Sequence, residues 1–92
     1  MIQSVKHKGL LKFMTTGSTA GIQVKHAELL EDRIAALNTA QSIDDMNVPG
    51  YRLHPLKGKL KGRWAIKISG NWRLTFEFID GDVHVLDYED YH

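Results

Sequence analysis

Apolar residues recur at two different periods along this chain, and the change falls at Pro49-Gly50. Before the break the spacing is helical. Gly9 to Thr16 carries Leu10, Leu11, Phe13 and Met14, and Gly17 follows where a residue in the left-handed region commonly ends a helix. From Val24 to Ala40, the residues Ala27, Leu30, Ile34 and Leu37 step by three and four, with Glu28, Glu31, Asp32 and Arg33 off that stripe. Small and polar residues over 18–22 read as the loop between two helices. Ser42 followed by Asp45 predicts a capping box on a short turn over 43–47. Ile2 to Val5 reads as an edge strand.

After residue 50 the period is two. Tyr51 and Leu53 alternate with Arg52 and His54; Trp64, Ile66 and Ile68 with Arg63, Ala65 and Lys67. Trp72, Leu74, Phe76 and Phe78 then alternate with Arg73, Thr75 and Glu77, and Val83 and Val85 with His84 and Leu86. Four strands after two helices predict an α+β fold, a small antiparallel sheet packed against two N-terminal helices.

The turns set the expected register. Asp80-Gly81 predicts a two-residue hairpin that places Phe78 against Val83, Phe76 against Val85, Arg73 against Tyr88 and Glu77 against His84. Around Ser69-Gly70-Asn71 a two-residue loop would pair Lys67 with Leu74 and bury the lysine. A three-residue loop is therefore expected, pairing Ile68 with Trp72 and Ile66 with Leu74. Lys67 then faces Arg73 directly, with Arg63 further along the same face. Like charges in such a pair are destabilising unless an anion lies between them or the long side chains splay into water.

Composition narrows the classes. A chain of 92 residues, 42% hydrophobic and 25% charged, is expected to form one ordered domain over 1–92, with no room for a cofactor domain. The absence of cysteine excludes disulfides, thiolate catalysis and cysteine zinc sites. No apolar run exceeds four residues, so neither a membrane span nor a signal-peptide core is expected, and the expected location is cytoplasmic.

A net charge of +1 conceals four segments. Residues 1–27 carry +4, residues 28–45 carry −4, residues 46–76 carry +7 without one acid, and residues 77–92 carry −6 without one Lys or Arg. The third segment holds Arg52, Lys57, Lys59, Lys61, Arg63, Lys67 and Arg73 together with two tryptophans and His54. Such a stretch reads as a phosphate-binding face, against the plainer alternative of a solvated face balanced by the acidic end.

Cleaving RNA through its own 2′-hydroxyl needs a base, an acid and cations at the phosphate. Histidine suits either proton-transfer role, and Arg and Lys suit the charge that builds on phosphorane oxygens. Two clusters offer these groups: Arg52 to Lys59, which contains His54, and the end of the chain, Asp87 to His92. Each residue also has a structural reading. His54 could close a strand, Tyr91 could pin the tail instead of stacking a base, and His84 reads as a cross-strand partner of Glu77. His7 and His26 read as surface residues, and Trp64 and Trp72 as core. A metal site from His54, Asp90 and His92 lacks any tight ligand spacing, so no metal is expected.

The same residues resemble a known family. Ile2-Gln3-Ser4, Lys6 to Leu10, Leu53-His54-Pro55-Leu56-Lys57-Gly58, Asn71 to Phe76 and the closing Tyr88 to His92 are similar to HigB-type toxins of the RelE/ParE superfamily, over essentially the whole chain. The resemblance implies a RelE-like domain and a bacterial endoribonuclease that cuts mRNA in the A site of the 70S ribosome, close to rRNA. It also implies a HigA-type antitoxin as partner. It places a catalytic cluster on His54, Asp90, Tyr91 and His92, adds Arg73 from the sheet, and includes Lys57. Lys59, Arg63 and Lys67 rest on the charge pattern alone as phosphate contacts. In the expected mechanism His92 is the base, assisted by Asp90, and His54 the acid, with the reverse assignment open. The alternatives are a ParE-like inhibitor of DNA gyrase without the cluster, a plain RNA-binding module, and a metal-dependent nuclease.

Overall fold

The computed structural model describes residues 1–91. Two helices, α1 (Lys8–Thr16) and α2 (Ala27–Thr39), precede four strands, β1 (His54–Pro55), β2 (Arg63–Ser69), β3 (Trp72–Ile79) and β4 (Asp82–Asp90). The strands form one antiparallel sheet in chain order. The N-terminal segment covers the outer edge of β4, where Ile2 and Val5 bridge Val83 and Leu86 in parallel orientation. One core joins Leu10, Phe13, Leu30 and Leu37 of the helices to Ile66, Ile68, Leu74, Phe76, Leu86 and Tyr88 of the sheet. None of the described helices is long and apolar enough to cross a membrane.

The helix ends follow the predicted punctuation. Gly17 closes α1 at φ 81 and returns its N–H to the Phe13 carbonyl. Ser42 and Asp45 form the expected capping box on a short 3₁₀ turn, Ile43–Met46. Two histidines depart from the surface expectation. His7 is half-buried and caps α1, its Nδ1 accepting the Leu10 N–H at 3.0 Å. His26 is buried in the turn before α2, with Nδ1 2.6 Å from the Tyr88 hydroxyl. The same hydroxyl accepts the Gln23 N–H at 3.4 Å, so the loop before α2 and the His26 ring are both tied to Tyr88. Burial, and then the Lys25 ammonium, hold the His26 pKa below its ordinary 6.5.

The sign of the linkage follows. Well above pH 6.5 His26 is neutral whether the chain is folded or not, so it adds no pH dependence there. As the pH falls below that value the unfolded chain takes up a proton that the folded chain resists. Stability then declines, at most by about 1.4 kcal/mol per pH unit from this group. Thermal melts between pH 8 and pH 5 should show the decline in the parent and a flatter response in His26→Gln. Equal slopes would remove His26 as the cause.

The hairpins fix what faces the open side of the sheet. Asp80 and Gly81 both have positive φ, as the expected tight turn requires, and Phe78 pairs with Val83 and Glu77 with His84. Beyond them the register changes. Val85 sits at φ 52 in a bulge, so the expected pairs Phe76–Val85 and Arg73–Tyr88 do not form. Instead Leu74 faces Tyr88 and Arg73 faces Glu89. The extra residue turns Leu86 and Tyr88 into the core, which strict alternation from Val83 could not do. Arg63 secures the bulge, its Nη2 donating to the Val85 carbonyl at 2.9 Å and to Thr75 Oγ1 at 3.0 Å.

Between β2 and β3 the expected pairs Ile66–Leu74 and Lys67–Arg73 are present, but by a different route. The loop has two residues, with Gly70 at φ 57, and Ser69 rather than Ile68 faces Trp72. A register shift between Lys67 and Ser69 absorbs the extra residue and keeps the lysine out of the core. Strand β1 is shorter than the alternation suggested. Tyr51 lies before it, buried in a turn.

Candidate active site

A cavity of about 370 Å³ opens between the segment leading into β1, the centre of the sheet and the end of the chain. Its walls are Arg52, Leu53, His54, Lys67, Arg73 and Tyr91. Three cations and a histidine thus meet, with no carboxylate among the described lining residues. The cross-strand pair of Lys67 and Arg73 supplies two of those cations. A larger cleft of about 440 Å³ lies on the helical side, lined by residues such as Ile2, Phe13, Met14 and Ile34, with Glu31 the one charged residue among its described lining. Chemistry, not volume, therefore points to the cationic cavity.

Arg73 is held on two sides. Its Nε and Nη2 lie 2.9 Å and 2.8 Å from Glu89 Oε1, and its guanidinium stacks 4.0 Å from the Tyr91 ring centroid. The bulge at Val85 makes this possible by moving Glu89 opposite Arg73. Tyr91 is fixed in turn by its backbone N–H, which donates to the Asn71 carbonyl in the β2–β3 turn. The chain end therefore returns to the cavity as far as Tyr91.

His54 is exposed at the start of β1, opposite Ala65. Its Nδ1 lies 2.8 Å from the Arg52 carbonyl. A carbonyl only accepts, so Nδ1 carries the proton and Nε2 is left as the reactive nitrogen. Arg52 adopts φ 53 to present that carbonyl.

The remaining candidates are distributed around this centre. Asp90 closes β4 opposite Trp72 and is exposed. His92 lies outside the described residues. Lys57 lines an adjoining cavity of about 400 Å³ with Lys61, Arg63 and Trp64, so it does not share the pocket of His54 and Arg73. Lys59 is exposed on the 3₁₀ turn Gly58–Leu60. Arg63 spends one nitrogen on the bulge. Trp64 and Trp72 are only half-buried, and Trp72 stacks on Tyr88 at 4.6 Å. Arg52 in the wall and Glu89 behind Arg73 lie within the two clusters seen in the sequence but were given no individual role there. Alternation did place Arg52 on the side of His54. Glu89 was hidden by the bulge.

Comparison with known proteins identifies the frame in which this site sits. A family model described as HigB-like toxin, the RelE-like toxin of the type II toxin–antitoxin system HigB, matches residues 3–92. The chain belongs to the HigB toxin family. Within it, the Endoribonuclease HigB of Proteus vulgaris is 47% identical over 92 residues, covering the whole of both chains. Toxin HigB-1 of Vibrio cholerae serotype O1 is 36% identical over 61 residues, 65% of this chain and 63% of that one. Among solved structures, a point mutant of YafQ from E. coli has a TM-score of 0.60 at 16% identity, covering 96% of this chain and 92% of its own. That likeness supports the RelE-like fold alone. As a type II toxin, a HigB-family chain has a protein antitoxin as its partner.

Proposed function

We propose that this chain is an endoribonuclease toxin that stops translation by cutting mRNA in the ribosomal A site, and that a HigA-type antitoxin restrains it. The observation that supports this reading is one cavity lined both by a histidine whose Nδ1 is bonded to a backbone carbonyl and by a doubly anchored arginine. Cleavage begins when a base removes the proton of a 2′-hydroxyl. The 2′-oxygen then attacks the adjacent phosphorus, an acid protonates the departing 5′-oxygen, and a 2′,3′-cyclic phosphate remains. His92 takes the proton with help from Asp90, and His54, entering the step as the imidazolium, delivers its Nε2 proton while Nδ1–H keeps the Arg52 carbonyl; with His54 as the neutral Nδ1–H imidazole the two roles exchange, Nε2 taking the 2′-hydroxyl proton. Arg73 meets the phosphorane through the guanidinium edge that Glu89 does not occupy, with Lys67 and Arg52 beside it. Tyr91 keeps Arg73 in plane. Lys57 and Lys59, outside the pocket, serve the RNA strand next to the cut, and Arg63 serves the fold first.

Positioning explains the ribosome. A flexible single strand rarely presents its 2′-oxygen in line with the leaving group, and a ribosome-bound codon is already restrained. Induction in bacteria followed by mapping of transcript ends should show cuts inside translated reading frames that vanish when translation is blocked. Intact transcripts, or cuts indifferent to translation, would remove the proposal. The basic face, with seven cations over 46–76, should also make ribosome association fall steeply with salt. A salt-insensitive affinity would show that this face does not dock.

A further inference from the structure

We infer that Arg33 of α2 is a positioning residue for the active site, acting through Tyr51 and Arg52 on the orientation of His54. The inference rests on the cleavage chemistry proposed above. Arg33 lies off the apolar stripe of its helix yet is only 8% exposed. Its Nε donates to the Lys67 carbonyl of β2 at 3.0 Å, and its Nη1 lies 3.2 Å from Asp32 Oδ2. The guanidinium covers the Tyr51 ring at 4.5 Å. Tyr51 is buried as well, donates its hydroxyl to the same Asp32 oxygen at 2.6 Å, and accepts the Lys67 N–H on its carbonyl at 2.6 Å. Helix, turn and strand are thus closed into a ring of polar contacts around residue 51.

The next residue carries the effect to the site. Arg52 holds φ 53, a region that non-glycine residues enter rarely and only when their surroundings enforce it. The Arg52 carbonyl accepts the Nδ1 proton of His54. Fixing Tyr51 therefore fixes the peptide that enters Arg52, one residue before the carbonyl that orients the imidazole. Lys67, whose backbone is gripped from both sides, lines the same cavity. Packing alone would be served by an apolar side chain at 33, since a buried cation costs desolvation that its partners must offset. With Arg33 or the Tyr51 hydroxyl removed, Arg52 relaxes toward negative φ and its carbonyl leaves His54.

The test uses Arg33→Met and Tyr51→Phe, the second of which keeps the ring and the fold if the first fails to fold. Nitrogen NMR of the neutral His54 imidazole reads the tautomer directly. The parent should hold its proton on Nδ1, and both variants should populate the other tautomer. In single-turnover cleavage on programmed ribosomes the rate should fall roughly 10–100-fold with ribosome affinity within twofold, because misplacement of a reacting group has that scale. Arg33→Lys, which keeps the charge, should recover part of the rate. Folded variants with an unchanged His54 tautomer would overturn the inference. Should the parent itself prove inert toward mRNA, the cleavage proposal fails, and the tautomer measurement still decides the positioning role.

Discussion

Replacing His54 with alanine should slow mRNA cleavage on programmed ribosomes by about 10²–10⁴-fold, the range a positioned proton-transfer group supplies. The side chain is exposed and, among the described residues, hydrogen-bonds the Arg52 carbonyl, so its removal should leave the fold and ribosome binding nearly unchanged. The loss should therefore appear in the single-turnover rate and not in the concentration of ribosomes needed for half-saturation. Glutamine at 54 is a useful companion, because it can keep the hydrogen bond without titrating; it should be as slow as alanine. A rate within twofold of the parent would show that His54 is a strand-end residue. Full activity in both His54→Ala and His92→Ala would end the proposed division between acid and base.

Arg73→Ala should cost about 10²–10³-fold in the same assay, the scale seen when one preorganised donor to a developing oxyanion is removed. The physical reason lies in how Arg73 is held. Glu89 grips one edge and Tyr91 covers one face, so the remaining edge is aimed before substrate arrives. Removing Arg73 also leaves Glu89 beside the phosphate path without its cation. Arg73→Lys should recover only part of the rate, since an ammonium keeps the charge but cannot hold the planar stack and the two-point contact together. Equal rates for lysine and arginine would mean that charge alone is used, and an active alanine variant would place the phosphorane elsewhere. Glu89→Gln separates the two anchors: it should loosen Arg73 and lower the rate less than Arg73→Ala does.

The sequence made the outline of this site visible because period, turns and charge all pointed the same way. Period-two alternation put Arg63, Lys67 and Arg73 on one face, and Asp80-Gly81 pinned the last hairpin. What escaped was decided by two bulges. Val85 and Leu86 are both apolar, so alternation from Val83 could run through either, and only packing of Leu86 and Tyr88 against the helices selects the longer route. That choice moved Glu89 to Arg73. At the other hairpin the two-residue loop was rejected because it would bury Lys67, and the fold reached the same pairing by shifting register before Ser69. Arg33 and His26 were misread for a common reason. Both look like surface residues by type and spacing, and both are satisfied inside by partners distant in sequence, Lys67 and Tyr51 for one and Tyr88 for the other. Lys57 and His54 line different cavities although they are three residues apart, because proximity in sequence within a loop does not mean a shared cavity.

The central claim is that His54 and Arg73 act on a phosphodiester attacked by its own 2′-oxygen. Its most direct test is cleavage of a programmed mRNA carrying a single 2′-deoxy nucleotide at the mapped cut. The account predicts that this substitution abolishes cleavage at that bond while leaving ribosome binding intact, and that unmodified mRNA yields a 2′,3′-cyclic phosphate and a 5′-hydroxyl. Cleavage of the deoxy-substituted bond at the parent rate would contradict it.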